Sequence, residues 1–230
     1  MSLAPRKINS IATRDFELVT MARTWLILNE PFFGSLIMKL KLEEANIETA
    51  ATDGKRILYA VEYILTLSKK ECIGLFAHEV MHCVLRHMFR IGNKNPAVWN
   101  AACDYVINII LDKSGFVLPQ GALLDYKFAD MTAEEVYELL IKDEQAVQNI
   151  ENSTPMDWIF QNDSSSEQAD IQIDWEIDIE IATERAKAAG KLPGAIESAL
   201  GKFEKPQIDW KVALLRFFTG YAQNDYCWAR

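Results

Sequence analysis

Residues 68–90 read SKKECIGLFAHEVMHCVLRHMFR, and they hold all three histidines of the chain, His78, His82 and His87. Ser68 followed by Glu71 is a capping-box pattern, apolar residues run through the stretch, and Gly92 follows as a breaker. Together they predict one long helix from Ser68 to about Arg90. Inside it, His78-Glu79-Val80-Met81-His82 is an H-E-x-x-H. Four residues of helix turn the chain about 40° beyond a full circle, so His78 and His82 project from one face and can grip one zinc ion. Glu79 sits about 100° round from His78, placed to reach a water beside the metal rather than the metal itself. Zinc lowers the pKa of such a water towards about 7, and a neighbouring carboxylate can take its proton during attack on a carbonyl. A histidine pair on a surface helix would need no metal. Here Ile73-Gly74-Leu75-Phe76-Ala77 precedes the pair. The imidazoles are therefore expected inside the protein, where polar groups require partners, and a metal is the natural one.

Length and composition frame this motif. At 230 residues, half of them hydrophobic, the chain is expected to form a single domain over 1–230 with a substantial core. A net charge of −9 argues against nucleic acid or an anionic membrane surface as a partner. The N-terminal MSLAPRKINSIATRD has no apolar signal core, and no apolar run is long enough to span a bilayer. A soluble cytoplasmic protein without a membrane partner is the expectation. Cys72, Cys83, Cys103 and Cys227 lack C-x-x-C spacing. They read as reduced core residues.

Taken in order, Ile11 to Glu30 has helical periodicity and stops at Pro31. Phe32 and Phe33 are expected under the core, with a short helix over SLIMKLKL. β-Branched residues flanking Asp53-Gly54 predict a hairpin with strands at about 47–52 and 56–60. A helix follows over Val98 to Lys113, apolar but for Asn100, Asp104, Asn108 and Asp112 at every fourth position. Such a stripe faces either water or a site. Thr132 with Glu135 caps another helix to about Ile141. Residues 143–170 turn acidic and polar, which predicts a mobile insertion, with Met156–Phe160 as a patch able to dock. Helices at 173–189, 194–203 and 208–222 complete the chain.

A catalytic zinc takes three protein ligands and leaves one position open. His87 lies nine residues from His78, about 900° round, and so points from the opposite side of a straight helix. A polar contact beyond the site, or at the surface, is expected of it. The better third ligand is Asp104, in the middle of the polar stripe, with Asp112 as fallback and Asn100 or Asn108 as its supporting partners.

The runs TAATDGKRILY, LSKKECIGLFAHEVMHCVLRH and WNAACDYVINIIL resemble predicted metal-dependent peptidases whose metallopeptidase domain precedes a von Willebrand factor A-like domain. LPQGALLD, TAEEVYELL, the Leu-Pro-Gly turn, DWKVALLRFF and the terminal DYCW extend the resemblance over about residues 10–228. It implies His78, His82 and Asp104 as zinc ligands and Glu79 as the catalytic glutamate. Relatives continue past DYCW into the second module, whereas this chain stops at Arg230, so a stand-alone domain and a fragment are both open.

The expected fold is α+β and mostly helical, a zincin-like arrangement with a small β-hairpin before the metal helix. By analogy with that fold, residues 47–52 or 56–60 are the candidates to hold an extended peptide. The expected function is a zinc-dependent metallopeptidase with one Zn2+ per chain, acting on a peptide or protein substrate. Tyr59, Tyr63 and Tyr105 are candidate oxyanion donors, and nothing in the sequence selects among them. The alternative is a zinc-stabilised binding or adaptor module with a protein partner, its metal closed by a fourth ligand such as Cys83 or Cys103.

Overall fold

In the computed structural model of the chain, the described residues are 6–153 and 165–202, and they fold as an α+β, mostly helical protein with one small sheet. The first helix, α1 (Arg6–Asn29), ends just before Pro31, as its periodicity predicts. Pro31 then does more than stop it. It opens α2 (Pro31–Ile37), where a missing N–H costs nothing. Phe32 and Phe33 are fully buried against Val19, Ala22 and Leu26 of α1.

The sheet contains β1 (Lys41–Glu44), β2 (Ala50–Thr52) and β3 (Arg56–Tyr59) in the order β1-β3-β2. β2 and β3 form the expected hairpin, antiparallel with Thr52 opposite Ile57. Its turn is built by Asp53, whose Oδ1 accepts from the backbone N–H of Lys55 (2.8 Å) and Arg56 (2.9 Å), and by Gly54 at φ 81°. β1 departs from expectation, because the short helix was to run through Leu42. Lys41-Leu42-Glu43-Glu44 has no β-branched residue, but it pairs in parallel with β3 and Arg56 donates to Glu43 across the pair at 2.8 Å. Tertiary pairing overrides local preference here. It also makes β3 the central strand, so of the two segments offered to an extended peptide only β2 stays at an edge, and its residues are buried.

After α3 (Val61–Ile64), Ser68 and Glu71 form the predicted capping box and start α4 (Lys69–Val84). Every residue from Cys72 to Val84 is buried. Close approach is possible because residue 74 is glycine: a Cβ there would meet the carbonyl oxygen of Val117 at 2.1 Å. α4 is shorter than predicted. Arg86 adopts a left-handed conformation at φ 55°, and the chain turns into α5 (His87–Arg90).

Next comes α6 (Pro96–Lys113), whose N-cap Asn95 accepts from the N–H of Ala97 and Val98. α7 (Ala133–Leu140) carries the predicted Thr132–Glu135 capping box. The acidic segment read as a loop includes α8 (Glu144–Ser153), with Ile150 buried and Glu151 accepting from Asn95 Nδ2 at 2.8 Å, and the opening of α9 (Ser165–Ala188). α10 (Gly194–Gly201) follows Pro193. The expected patch at Met156–Phe160, the helix at 208–222 and Cys227 lie outside the described residues.

α9 locks onto the hairpin through Trp175, which is fully buried and donates its Nε1–H to the carbonyl of Gly54 at 2.9 Å. α6 divides two apolar clusters. Ile107, Ile110 and Leu111 face the larger one with α1, α2, α4 and α9, while Trp99, Ala102 and Ile109 face the smaller one with α7 and α8. Burial on both sides explains why α6 is apolar almost all round. No described helix is long and apolar enough to cross a membrane.

Candidate metal centre

α4 and α6 pack together and bring His78, His82 and Asp104 into one buried cluster whose potential ligand atoms lie within 4.8 Å of one another. His78 Nε2 is 2.9 Å from His82 Nε2, and Asp104 Oδ1 is 3.6 Å from the first and 3.4 Å from the second. These are the three residues singled out by spacing and by resemblance. Asp112, the fallback, is exposed and accepts from the Tyr126 hydroxyl, away from the cluster.

Each member is oriented through the atom it turns away from the centre. His78 Nδ1 lies 2.9 Å from Asn108 Oδ1, and the amide of Asn108 donates from Nδ2 to the carbonyl of Leu123 at 2.9 Å. The second bond decides which end of the amide meets the imidazole. An oxygen there requires the hydrogen on Nδ1, so neutral His78 turns a bare Nε2 inward. Asn100 donates from Nδ2 to Asp104 Oδ2 at 3.0 Å, which leaves Oδ1 for the cluster. The stripe of α6 thus faces the cluster over its buried members, Asn100, Asp104 and Asn108.

This arrangement fits a cation. Asp104 Oδ1 is buried and has no hydrogen-bond partner among the described residues. It faces two imidazole nitrogens, one of them without a hydrogen, and acceptors brought this close in a dry site repel one another unless positive charge lies between them. Two imidazole nitrogens and one carboxylate oxygen suit a first-row divalent ion with a coordination position left over.

Glu79, the neighbour of His78 on α4, is 1% exposed. Neither Cys83 nor Cys103 belongs to the cluster, which answers the expectation of a sulfur ligand among the described residues. Burial pushes the Cys83 thiol up to about 12, and its sulfur lies 3.4 Å from Thr52 Oγ1. Among the tyrosines, Tyr59 packs edge-on against Phe76 and Tyr105 lies against Phe128.

His87 is where straight-helix geometry misleads. Because α4 stops at Val84 and Arg86 turns left-handed, His87 swings back beneath the cluster, and its Nδ1 comes 3.2 Å from His82 Nδ1. It is not at the surface but deep inside: His87 is 1% exposed, and burial holds its imidazole well below the usual basicity. Nothing in Leu85-Arg86 announces the turn. It is braced from elsewhere: Arg86 pairs with Glu176 of α9, and Arg90 pairs with Glu134 of α7 and donates to the carbonyl of Leu85 at 2.7 Å. Beyond His87 lies a cavity of about 470 Å³ lined by residues that include His87, Ile110, Phe128 and Ala199 but none of His78, Glu79, His82 or Asp104.

A family model described as "Putative metallopeptidase domain" matches residues 17–230 of the chain. No curated protein matches it, and no solved structure does.

Proposed function

The chain belongs to the metallopeptidase-domain family whose model spans residues 17–230, and from that premise we propose that it is a zinc peptidase using His78, His82 and Asp104 as ligands and Glu79 as general base. The observation that carries this reading is the convergence of the three ligand atoms within 4.8 Å, with Asp104 Oδ1 buried and otherwise unbonded. A bound zinc ion supplies a Lewis acid for the scissile carbonyl and lowers the pKa of water.

The remaining steps belong to the chain. Asn108 and Asn100 hold His78 and Asp104 with their donor atoms turned inward, so little reorganisation is needed when the ion enters. Glu79 takes the proton of the attacking water and returns it to the leaving amine, a role open to a carboxylate one residue from His78 on the same helix. The substrate is a peptide or protein. The burial of Ala50–Thr52 means that it does not simply add a strand to β2 as the described residues stand.

One further observation favours a second reading, a metal-stabilised binding module. The candidate ligands are nearly closed to solvent, with His82 0%, Asp104 5% and His78 8% exposed. Such burial limits the access of a substrate to the cluster, although a set of three ligands with one position open is the pattern of a catalytic rather than a structural zinc.

Both readings are tested by the metal content of wild type, His78→Ala and Asp104→Ala by mass spectrometry, together with cleavage of unstructured peptides by zinc-loaded wild type and Glu79→Gln. About one zinc per chain, absent from both ligand variants, with cleavage that Glu79→Gln abolishes, is the result expected of the peptidase. Zinc bound without any cleavage, and equal residual activity in wild type and Glu79→Gln, would leave the module. A folded wild type that takes up no zinc overturns both.

A further inference from the structure

His78 and His82 are matched as ligands but not in what stands behind them. Behind His78 is Asn108, an amide whose orientation is set by Leu123. Behind His82 is another imidazole, 3.2 Å away nitrogen to nitrogen. Two ring nitrogens at that distance share one hydrogen, and which ring carries it decides what His82 offers the centre. If His82 holds its hydrogen on Nε2, that nitrogen can donate to His78 Nε2 at 2.9 Å but cannot bind an ion. With the hydrogen on Nδ1, Nε2 turns a lone pair to the centre, and Nδ1–H needs an acceptor in a place with no exposure.

We propose that His87 is a positioning residue of the metal centre: its Nδ1 accepts the hydrogen bond of His82 Nδ1–H and so reserves His82 Nε2 for the ion. The inference rests on the metal-site reading above and extends it to a residue outside the three ligands. The ring of His87 is well placed to act as a fixed acceptor. Its backbone carbonyl takes the indole hydrogen of Trp99 at 3.2 Å, and the two rings meet edge to face with centroids 6.0 Å apart. The left-handed Arg86 aims it, and the ion pairs of Arg86 and Arg90 tie that turn to α9 and α7. Accepting at Nδ1 places the hydrogen of His87 on Nε2. That nitrogen has no hydrogen-bond partner among the described residues, so it makes no competing demand on the orientation of the ring.

A histidine that merely filled space beneath His82 would be replaced without loss by an aromatic ring of similar size. The experiment therefore compares zinc affinity, by competition with a chromophoric chelator, in wild type, His87→Phe and His87→Gln. Thermal unfolding of the metal-free proteins reports folding separately. Loss of the acceptor in His87→Phe is expected to weaken zinc by about 10–100-fold, the usual effect of removing a ligand's hydrogen-bond partner. His87→Gln, which can again present an oxygen, should recover most of that loss. Equal affinity in wild type and a folded His87→Phe overturns the inference while leaving the metal site standing; a wild type that binds no zinc overturns the reading beneath it. Nitrogen-15 NMR of the histidine rings in metal-free wild type gives a result independent of any variant. A hydrogen on His82 Nδ1 supports the inference, and one on His82 Nε2 sinks it.

Discussion

α4 carries His78, Glu79 and His82 through a run in which every residue from Cys72 to Val84 is buried, whereas α6 carries Asn100, Asp104 and Asn108 along one stripe of a wall between two apolar clusters. Both helices put polar groups where water is scarce, and they satisfy them differently. On α6, Asn100 bonds Asp104 one turn on, whereas Asn108 reaches off the helix to His78 and the Leu123 carbonyl. On α4 the polar groups depend on other elements, with His78 held by α6 and His82 by α5. α6 thus holds part of its stripe by itself, while the histidines of α4 rely on their neighbours. An H-E-x-x-H by itself is therefore only part of a site.

The division predicts effects of different kind and size. Glu79→Gln on α4 should lower kcat/KM for a peptide substrate by about 10²–10⁴ while zinc content measured by mass spectrometry is unchanged. Metal lost along with activity would mean that the residue supports the fold of the site instead. Gly74→Ala tests how tightly α4 is seated. With the Val117 carbonyl 2.1 Å from the new Cβ, urea unfolding should show destabilisation near the upper end of overpacking, about 3 kcal/mol or more, and a loss under 1 kcal/mol would show that the 117 loop yields.

On α6 the expected losses are in affinity. Asn108→Ala should weaken zinc by about 10–100-fold in a chelator competition, and Asn108→Asp, which keeps an acceptor for His78 Nδ1–H, should lose less. If both weaken it equally, the bond to Leu123 matters more than the bond to the histidine. Asp112→Ala sits on the same stripe but outside the site, so stability should change by no more than about 0.5 kcal/mol and zinc affinity not at all. An effect there as large as that of Asn108→Ala would erase the distinction between the buried and exposed ends of the stripe.

Much of this was legible because it repeats with the helix. The capping boxes at Ser68 and Thr132, the Asp53-Gly54 turn and the four-residue stripe of α6 are local patterns, and the structure holds them. The misses share a cause. β1 has weak strand propensity and exists because β3 pairs with it. α8 occupies part of a segment too polar to suggest packing, and it is held by contacts such as Asn95 to Glu151, distant in sequence. Arg86 in the left-handed region could not be read from Leu85-Arg86-His87, since its ion-pair partner, Glu176, lies on α9.

The sequence alone singled out the candidates, His78 and His82 first and Asp104 ahead of Asp112. Spacings of four on two apolar helices put His78 and His82 on one face and Asp104 in mid-stripe, because helical geometry fixes the angle between side chains whatever surrounds them. Only the tertiary structure decided what stands behind those residues. The orientation of Asn108, the closure of the site to solvent and the return of His87 beneath His82 depend on elements meeting from far apart in the chain, and no local periodicity encodes such a meeting.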